Sequence, residues 1–370
     1  MKAIKKREKI TNLTINYDCR IDLSDMVPPK SLLFDIETTG FSPKSSIVYL
    51  IGAAWFEGQE IVIEQYFAET QEEEPRLLLQ FQELVRQFDT LISFNGTGFD
   101  IPFLEGRMES FDCISSKKQI DLYKDIRSYK HIFHLENYKQ KTIEKFWGIS
   151  RQDDACTGGE LIPVYKEYQK QAEGHLLHLL LQHNYQDILG LASLLSFYSV
   201  DAIFKGDFTP ESCSCSNYRK LAGQTGIECC ITCQPGAPLP ITCSCNCHEY
   251  FLHISKNKLF FRVPAYVGSL KFFYPNYKDY YYLPQEDMAI HKSVAAFVDK
   301  AHRTKAKASN CYQKKTGTFL PQYEEFKTPA FYINYKDPFS FFEWQEDYRS
   351  YPCQLKSYCM HIFQILKQGL

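Results

Sequence analysis

The stretch Ser31-Leu-Leu-Phe-Asp-Ile-Glu-Thr-Thr-Gly40 constrains this chain more than any other. Its short apolar run reads as a strand buried in a sheet, yet the strand ends in two carboxylates. Alternation along a strand puts Asp35 and Glu37 on one face, about 7 Å apart at ~3.3 Å per residue, at a sheet edge where a loop begins. Two carboxylates so placed can share a divalent cation. The plainer alternative is a solvated strand end.

The surrounding pattern builds a sheet around that strand. Ile47–Phe56 and Glu60–Phe67 read as strands joined by a hairpin turn at Glu57-Gly58-Gln59. Glu72-Glu73-Glu74-Pro75 opens a helix, with acids at its positive end, Pro in its first turn and Leu78, Phe81, Leu84, Val85 and Phe88 as its apolar stripe. Thr90–Phe94 returns to strand, a helix begins near Phe99, and strand and helical patterns run through Gln119–Tyr123, Thr142–Phe146, Leu161–Tyr168 and Leu176–Tyr198. Three strands, a helix, a strand and then more helices predict a mixed α/β sheet covered by helices.

Two further groups of polar residues interrupt the pattern. Asn95-Gly-Thr-Gly-Phe-Asp100 places glycines in a turn and Asp100 in the first turn of the next helix, where the dipole alone would favour an acid. His183-Asn-Tyr-Gln-Asp187 sits in a Leu-rich helix; the i, i+4 spacing puts His183 and Asp187 on one face, and a surface hydrogen bond is the ordinary reading of such a pair.

Taken in order, Asp35-x-Glu37-Thr-Thr-Gly, Asn95-x-x-x-Phe-Asp100 and His183-x-x-x-Asp187 resemble the three exonuclease motifs of the DnaQ-like (DEDD) superfamily, and within it the YprB-type ribonuclease H-like branch. The resemblance covers roughly Ser31 to Tyr198. It implies a ribonuclease H-like sheet on which Asp35, Glu37, Asp100 and Asp187 bind two Mg²⁺ or Mn²⁺ ions. It also implies 3′→5′ exonuclease action and a terminal nucleotide near Thr38, Thr39 and the Ser93–Asn95 turn, whose other reading is turn and capping chemistry. Hard dications take oxygen ligands, and two of them held close together need several negative charges, so four carboxylates suit phosphodiester hydrolysis. The third motif departs from the family: a base precedes the last Asp as Tyr by four residues or as His by five, whereas here His183 stands four back and Gln182 five back. Imidazole changes charge near neutral pH, so a base role for His183 stays plausible.

The chain is long enough, at 370 residues, for two domains. Its net charge of −2 gives no global nucleic-acid signal, but the distribution is uneven: residues 206–370 carry 19 basic and 14 acidic side chains, against 23 and 30 before them. The expected organisation is a polar leader over 1–28, a ribonuclease H-like domain over 29–205 and a β-rich accessory domain over 206–370. MKAIKKREKI lacks the apolar run of a signal peptide, and no 18 consecutive apolar residues occur, so a cytoplasmic protein without a membrane span is expected.

In that compartment the 14 cysteines are thiols or metal ligands rather than disulfides. Eight of them fall within 35 residues, Cys213 to Cys247. Their spacing is mostly C-x-C, with only Cys230-x-x-Cys233 knuckle-like, so packing as small apolar residues is the first reading and a structural Zn²⁺ site, joined by His248, the second. Ten aromatics lie in the 23 residues from Phe260 to Tyr282, and His291–Lys315 holds seven Lys/Arg with one Asp. Aromatic faces beside a basic stripe suit single-stranded DNA or RNA, with Lys305, Lys307, Lys314 and Lys315 meeting phosphates; the alternative is a β-domain core beside a solvated helix. The expectation is a metal-dependent 3′→5′ exonuclease on DNA. An exoribonuclease with the same site and a catalytically idle nucleic-acid-binding scaffold are its rivals.

Overall fold

The computed structural model describes residues 1–12, 22–151, 158–219, 225–345 and 352–369. They divide into two compact units, Met1–Ile203 with Ala237–Thr242, and Phe204–Gly236 with Cys243–Leu370.

The first unit is built on six strands, β1 (Lys2–Lys9), β2 (Ser31–Thr38), β3 (Val48–Glu57), β4 (Glu60–Phe67), β5 (Thr90–Ser93) and β6 (Lys118–Asp121), ordered β1-β4-β3-β2-β5-β6. Central β2 runs antiparallel to β3, with Phe34 opposite Ala53, and parallel to β5, with Leu33 opposite Ile92. Flanked on both edges and covered on both faces, it has no reason to alternate, which explains its continuous apolar run. β3 and β4 turn at Gly58, whose φ of 60° is a left-handed conformation that glycine adopts without steric cost.

One face of the sheet packs Leu32, Phe34 and Ile36 against Leu77, Leu78 and Phe81 of the helix Glu74–Val85. The other packs Tyr49, Leu50 and Phe67 against Leu161, Tyr165 and Leu180 of the helices Gly158–Gln171 and Gly174–Leu194. Because Phe34 and Ile36 occupy the first face, Asp35 and Glu37 turn to the second, where the long helix Gly174–Leu194 lies. The expected mixed sheet flanked by helices is thus present. Glu74 does more than complement a helix dipole: it is 3 % exposed, is clasped by Arg107 and accepts the Val48 N–H at 2.8 Å.

The segment read as a polar leader supplies the outer strand of this sheet, paired with β4 from Lys2 opposite Phe67 to Lys9 opposite Glu60. Its mostly charged side chains carry no apolar signal, which is why the sequence hid it. Arg7 bridges Glu57 and Glu60, the like charges paired at the mouth of the hairpin, at 2.7 and 3.2 Å. Residues 13–21 of the expected leader lie outside the described residues. Gly174–Phe204 is long and apolar enough to cross a bilayer by composition alone, but 72 % of its most apolar window is buried inside the protein.

The second unit is strand-rich: β7 (Phe208–Arg219), β8 (Thr225–Pro235), β9 (Cys243–Cys247), β10 (Tyr250–Ser255), β11 (Lys258–Phe273), β12 (Tyr280–Leu283), β13 (Met288–His291), β14 (Thr304–Lys305), β15 (Tyr312–Gln322) and β16 (Ser340–Glu343). β12 to β14 form a three-stranded sheet and the others a seven-stranded one. Long β11 pairs with three strands: β10 along Lys258–Arg262, β8 along Leu259–Ala265 and β15 along Tyr266–Phe273. The helix Pro352–Gln368 buries Leu355, Tyr358, Ile362 and Phe363.

Candidate active site

Three segments far apart in sequence meet at the C-terminal end of β2. Alternation delivers Asp35 and Glu37, the turn after β5 delivers Asp100, and the long helix delivers His183, Asn184 and Asp187. Asp100 Oδ1 accepts the Ile36 N–H at 3.2 Å, tying the first turn of its helix to the backbone between the two β2 acids. His183 Nε2 lies 3.1 Å from Asp187 Oδ2 and 3.8 Å from Glu37 Oε1. One ligand atom from each of Glu37, His183 and Asp187 falls within 4.8 Å of the other two.

The surrounding scaffold holds these groups by side-chain contacts that the sequence reading missed. Asn184 Nδ2 donates to Asp35 Oδ2 at 3.0 Å, while Gln65 Nε2 on β4 donates to Asn184 Oδ1 at 2.9 Å. Gly52, opposite Asp35 on β3, leaves room for that amide: a Cβ there would sit 2.3 Å from Asn184 Oδ1. On the far side of Asp187, Arg151 Nη1 donates to Oδ1 at 2.6 Å and the same guanidinium clasps Glu144. Asp121 accepts the Asn95 N–H at 2.8 Å and the Thr97 N–H at 3.2 Å, fixing the turn that leads to Asp100. Asn184, inside the third motif, and Asn95 and Thr97, inside the second, lay in view of a local pattern; Gln65, Gly52, Asp121, Glu144 and Arg151 did not.

Burial pushes Asp35 and Glu37 well above the usual carboxylate range, and the charges of Asp187 and Asp100 push the same way. Burial likewise raises Asp100 to about 7. For Asp187, burial acts upward too, but hydrogen bonds from His183 and Arg151 and their charges hold it below its ordinary value. Such a crowd of oxygen donors cannot ionise together without added positive charge, and hard divalent cations are the partners this donor set fits.

The remaining expected contacts are placed differently. The Thr38 hydroxyl donates to the Gly40 carbonyl at 2.7 Å and the Thr39 hydroxyl accepts the Ile47 N–H at 3.0 Å, so both serve the turn after β2. Asn95 sits at φ 62° in the same loop as Thr97. Lys305, Lys307, Lys314 and Lys315 are all exposed and all belong to the second unit. Lys314 pairs with Asp287 and Lys315 with Glu343, the latter at 2.7 Å, so two of the four already face carboxylates. His291–Lys315 is neither one stripe nor one helix, since its longest helix is Lys292–Ala295. Several of the aromatics pack on each other, Tyr274 on Tyr280 at 4.5 Å between centroids, though an open cleft of about 650 Å³ remains, walled by Phe272, Phe273, Tyr332 and Tyr335.

Cys213, Cys229, Cys233 and Cys245 are buried among the strands, with Sγ atoms of Cys213 and Cys229 at 3.4 Å and those of Cys233 and Cys359 at 3.9 Å. Among the described residues, no three of these thiols lie within mutual reach of one ion.

Comparison with known proteins places the first unit in context. Residues 32–198 match the RNase_H_2 family of the RNase_H superfamily. Similar solved structures include the family B DNA polymerase from the hyperthermophilic archaeon Pyrobaculum calidifontis, at 16 % identity over 48 % of this chain and 25 % of that chain, TM-score 0.38. E. coli Exonuclease I in complex with a dT13 oligonucleotide matches at 10 % identity over 55 % of each chain, TM-score 0.31. The chain therefore spans about a quarter of the polymerase and just over half of the exonuclease. No curated protein matches it.

Proposed function

We propose that this chain, whose residues 32–198 belong to the RNase H superfamily, is a metal-dependent nuclease acting as a 3′→5′ exonuclease on single-stranded DNA. One observation carries the reading: Asp35, Glu37, Asp100, His183 and Asp187, drawn from three distant segments, converge at the C-terminal end of central β2 with Glu37, His183 and Asp187 within reach of a single ion. Asp35, Glu37, Asp100 and Asp187 would hold two divalent cations there. When bound, Mg²⁺ or Mn²⁺ supplies Lewis acidity toward the attacking water and the departing 3′ oxygen. The chain's own part is to aim the donors and to move one proton. Asn184 orients Asp35, the Ile36 N–H orients Asp100, and Arg151 orients Asp187. His183, only 11 % exposed and beside both Glu37 and Asp187, takes the proton of the attacking water.

The excess of basic residues in 206–370 and the aromatic cleft of the second unit support its role in holding a single strand. The test is to incubate the protein with 5′-labelled single-stranded DNA and RNA in Mg²⁺, Mn²⁺ or EDTA. Labelled DNA shortening one nucleotide at a time, and only with metal, is the expected result. Internal cuts would replace the exonuclease mode, preference for RNA would replace the substrate, and no cleavage of either strand with either metal would sink the nuclease.

A further inference from the structure

Arg151 answers to two carboxylates at once. Its Nη1 reaches Asp187 Oδ1 at 2.6 Å, while its Nε and Nη2 clasp Glu144, Nη2 at 2.8 Å from Oε1. The Arg151 side chain is 7 % exposed and that of Glu144 1 %. Gln140 Nε2 adds a second tie, donating to Glu144 Oε1 at 2.9 Å and to the Asp187 carbonyl at 2.8 Å. Gly190, three residues past Asp187 on the long helix, is what admits Glu144 to this contact: a Cβ there would fall 1.9 Å from Glu144 Oε1.

The consequence lies in what Arg151 cannot do. Swinging away would strand Glu144 as a buried, unpaired carboxylate, which is among the most costly changes a folded chain can suffer. The guanidinium is therefore a fixture and not a gate. We propose that Arg151 is a resident counter-cation of the metal centre: it caps Oδ1 of Asp187, leaves the ion to share Oδ2 with His183 Nε2, 3.1 Å from it, and competes electrostatically with the divalent ion. It is a positioning residue, acting through Asp187, and Glu144 exists to hold it. This inference rests on the metal-centre reading above.

Mn²⁺ titrated calorimetrically into the substrate-free protein separates the two. Binding by the wild type tests the centre itself, since a wild type that takes up no Mn²⁺ overturns the centre and this inference with it. The ratio of variant to wild-type affinity tests Arg151 alone. Arg151→Gln, and the double variant Glu144→Gln with Arg151→Gln, which strands no buried charge, should bind Mn²⁺ about tenfold more tightly, within the range by which outer partners tune metal affinity. Arg151→Lys, which keeps the charge, should stay near wild type. A residue that served only to support the fold would lower affinity when removed, so unchanged or weaker binding by the folded double variant overturns the proposal.

Discussion

A buried carboxylate whose ionisation is opposed by its neighbours costs the folded chain stability whenever it carries charge. Asp35 is such a group, raised by burial and by Asp187 and Asp100, so its charge is disfavoured in the fold and not in the unfolded chain. Asp35→Asn should therefore raise the melting temperature in EDTA while lowering cleavage at least about 100-fold, beyond what outer partners alone command. A variant less stable than wild type in EDTA, or one that still cuts at saturating Mg²⁺, counts against the assignment. For His183→Ala the rate should fall about 10²–10⁴-fold, the range of a general base, and recover in part at higher pH where hydroxide needs less help. An unchanged rate would leave His183 as a helix-face residue. These five positions were legible because each obeys a local rule: alternation for Asp35 and Glu37, a turn before a helix for Asp100, and i, i+4 for His183 and Asp187. Arg151 and Gln65 were not, because their partners stand 36 and 119 residues away and no local spacing encodes such a meeting.

Among elements, the spacing between the long helix and the sheet is set by what separates them. At Gly52 nothing but hydrogen stands between the β3 backbone and Asn184, and a methyl group would lie 2.3 Å from the amide oxygen. Gly52→Ala should cost about 1–3 kcal/mol, the usual penalty for overpacking, read as a lower urea midpoint. Combining it with Asn184→Ala should recover part of that loss, and a Gly52→Ala midpoint equal to wild type would mean the approach is looser than described. Elements with an apolar signal were read close to their bounds, β2 through β5 and the helix from Glu74 among them. β1 was missed, since a strand paired on one edge and largely open to water needs no apolar face. Likewise the basic segment near residue 300 was given too simple a form, because part of it is a short strand, with Thr304 opposite Tyr282 and Lys305 opposite Tyr281 of β12.

For the whole molecule the relevant quantity is the division of charge, basic in residues 206–370 and acidic before them. If the second unit holds a single strand through phosphates, Lys305→Glu with Lys307→Glu should weaken binding to single-stranded DNA, most at low salt, with the gap closing as salt rises. Lys314→Glu with Lys315→Glu should in addition lower stability, because those lysines face Asp287 and Glu343. Equal affinity of the first pair and wild type across a salt titration would make these lysines a solvated face.

The outer strand carries a further consequence for how the protein lives among copies of itself. β4 runs Glu-Ile-Val-Ile-Glu-Gln-Tyr-Phe, an apolar strand whose free side would offer a row of N–H and C=O groups to any passing chain. Lys2–Lys9 occupies that row along its full length with five basic side chains facing outward or nearly so, and a charged edge repels the next strand that might join it. The segment least like a structural element is thus the one that covers the β4 edge: a chain without it would present that apolar strand's free N–H and C=O groups and should associate edge to edge more readily than the full chain.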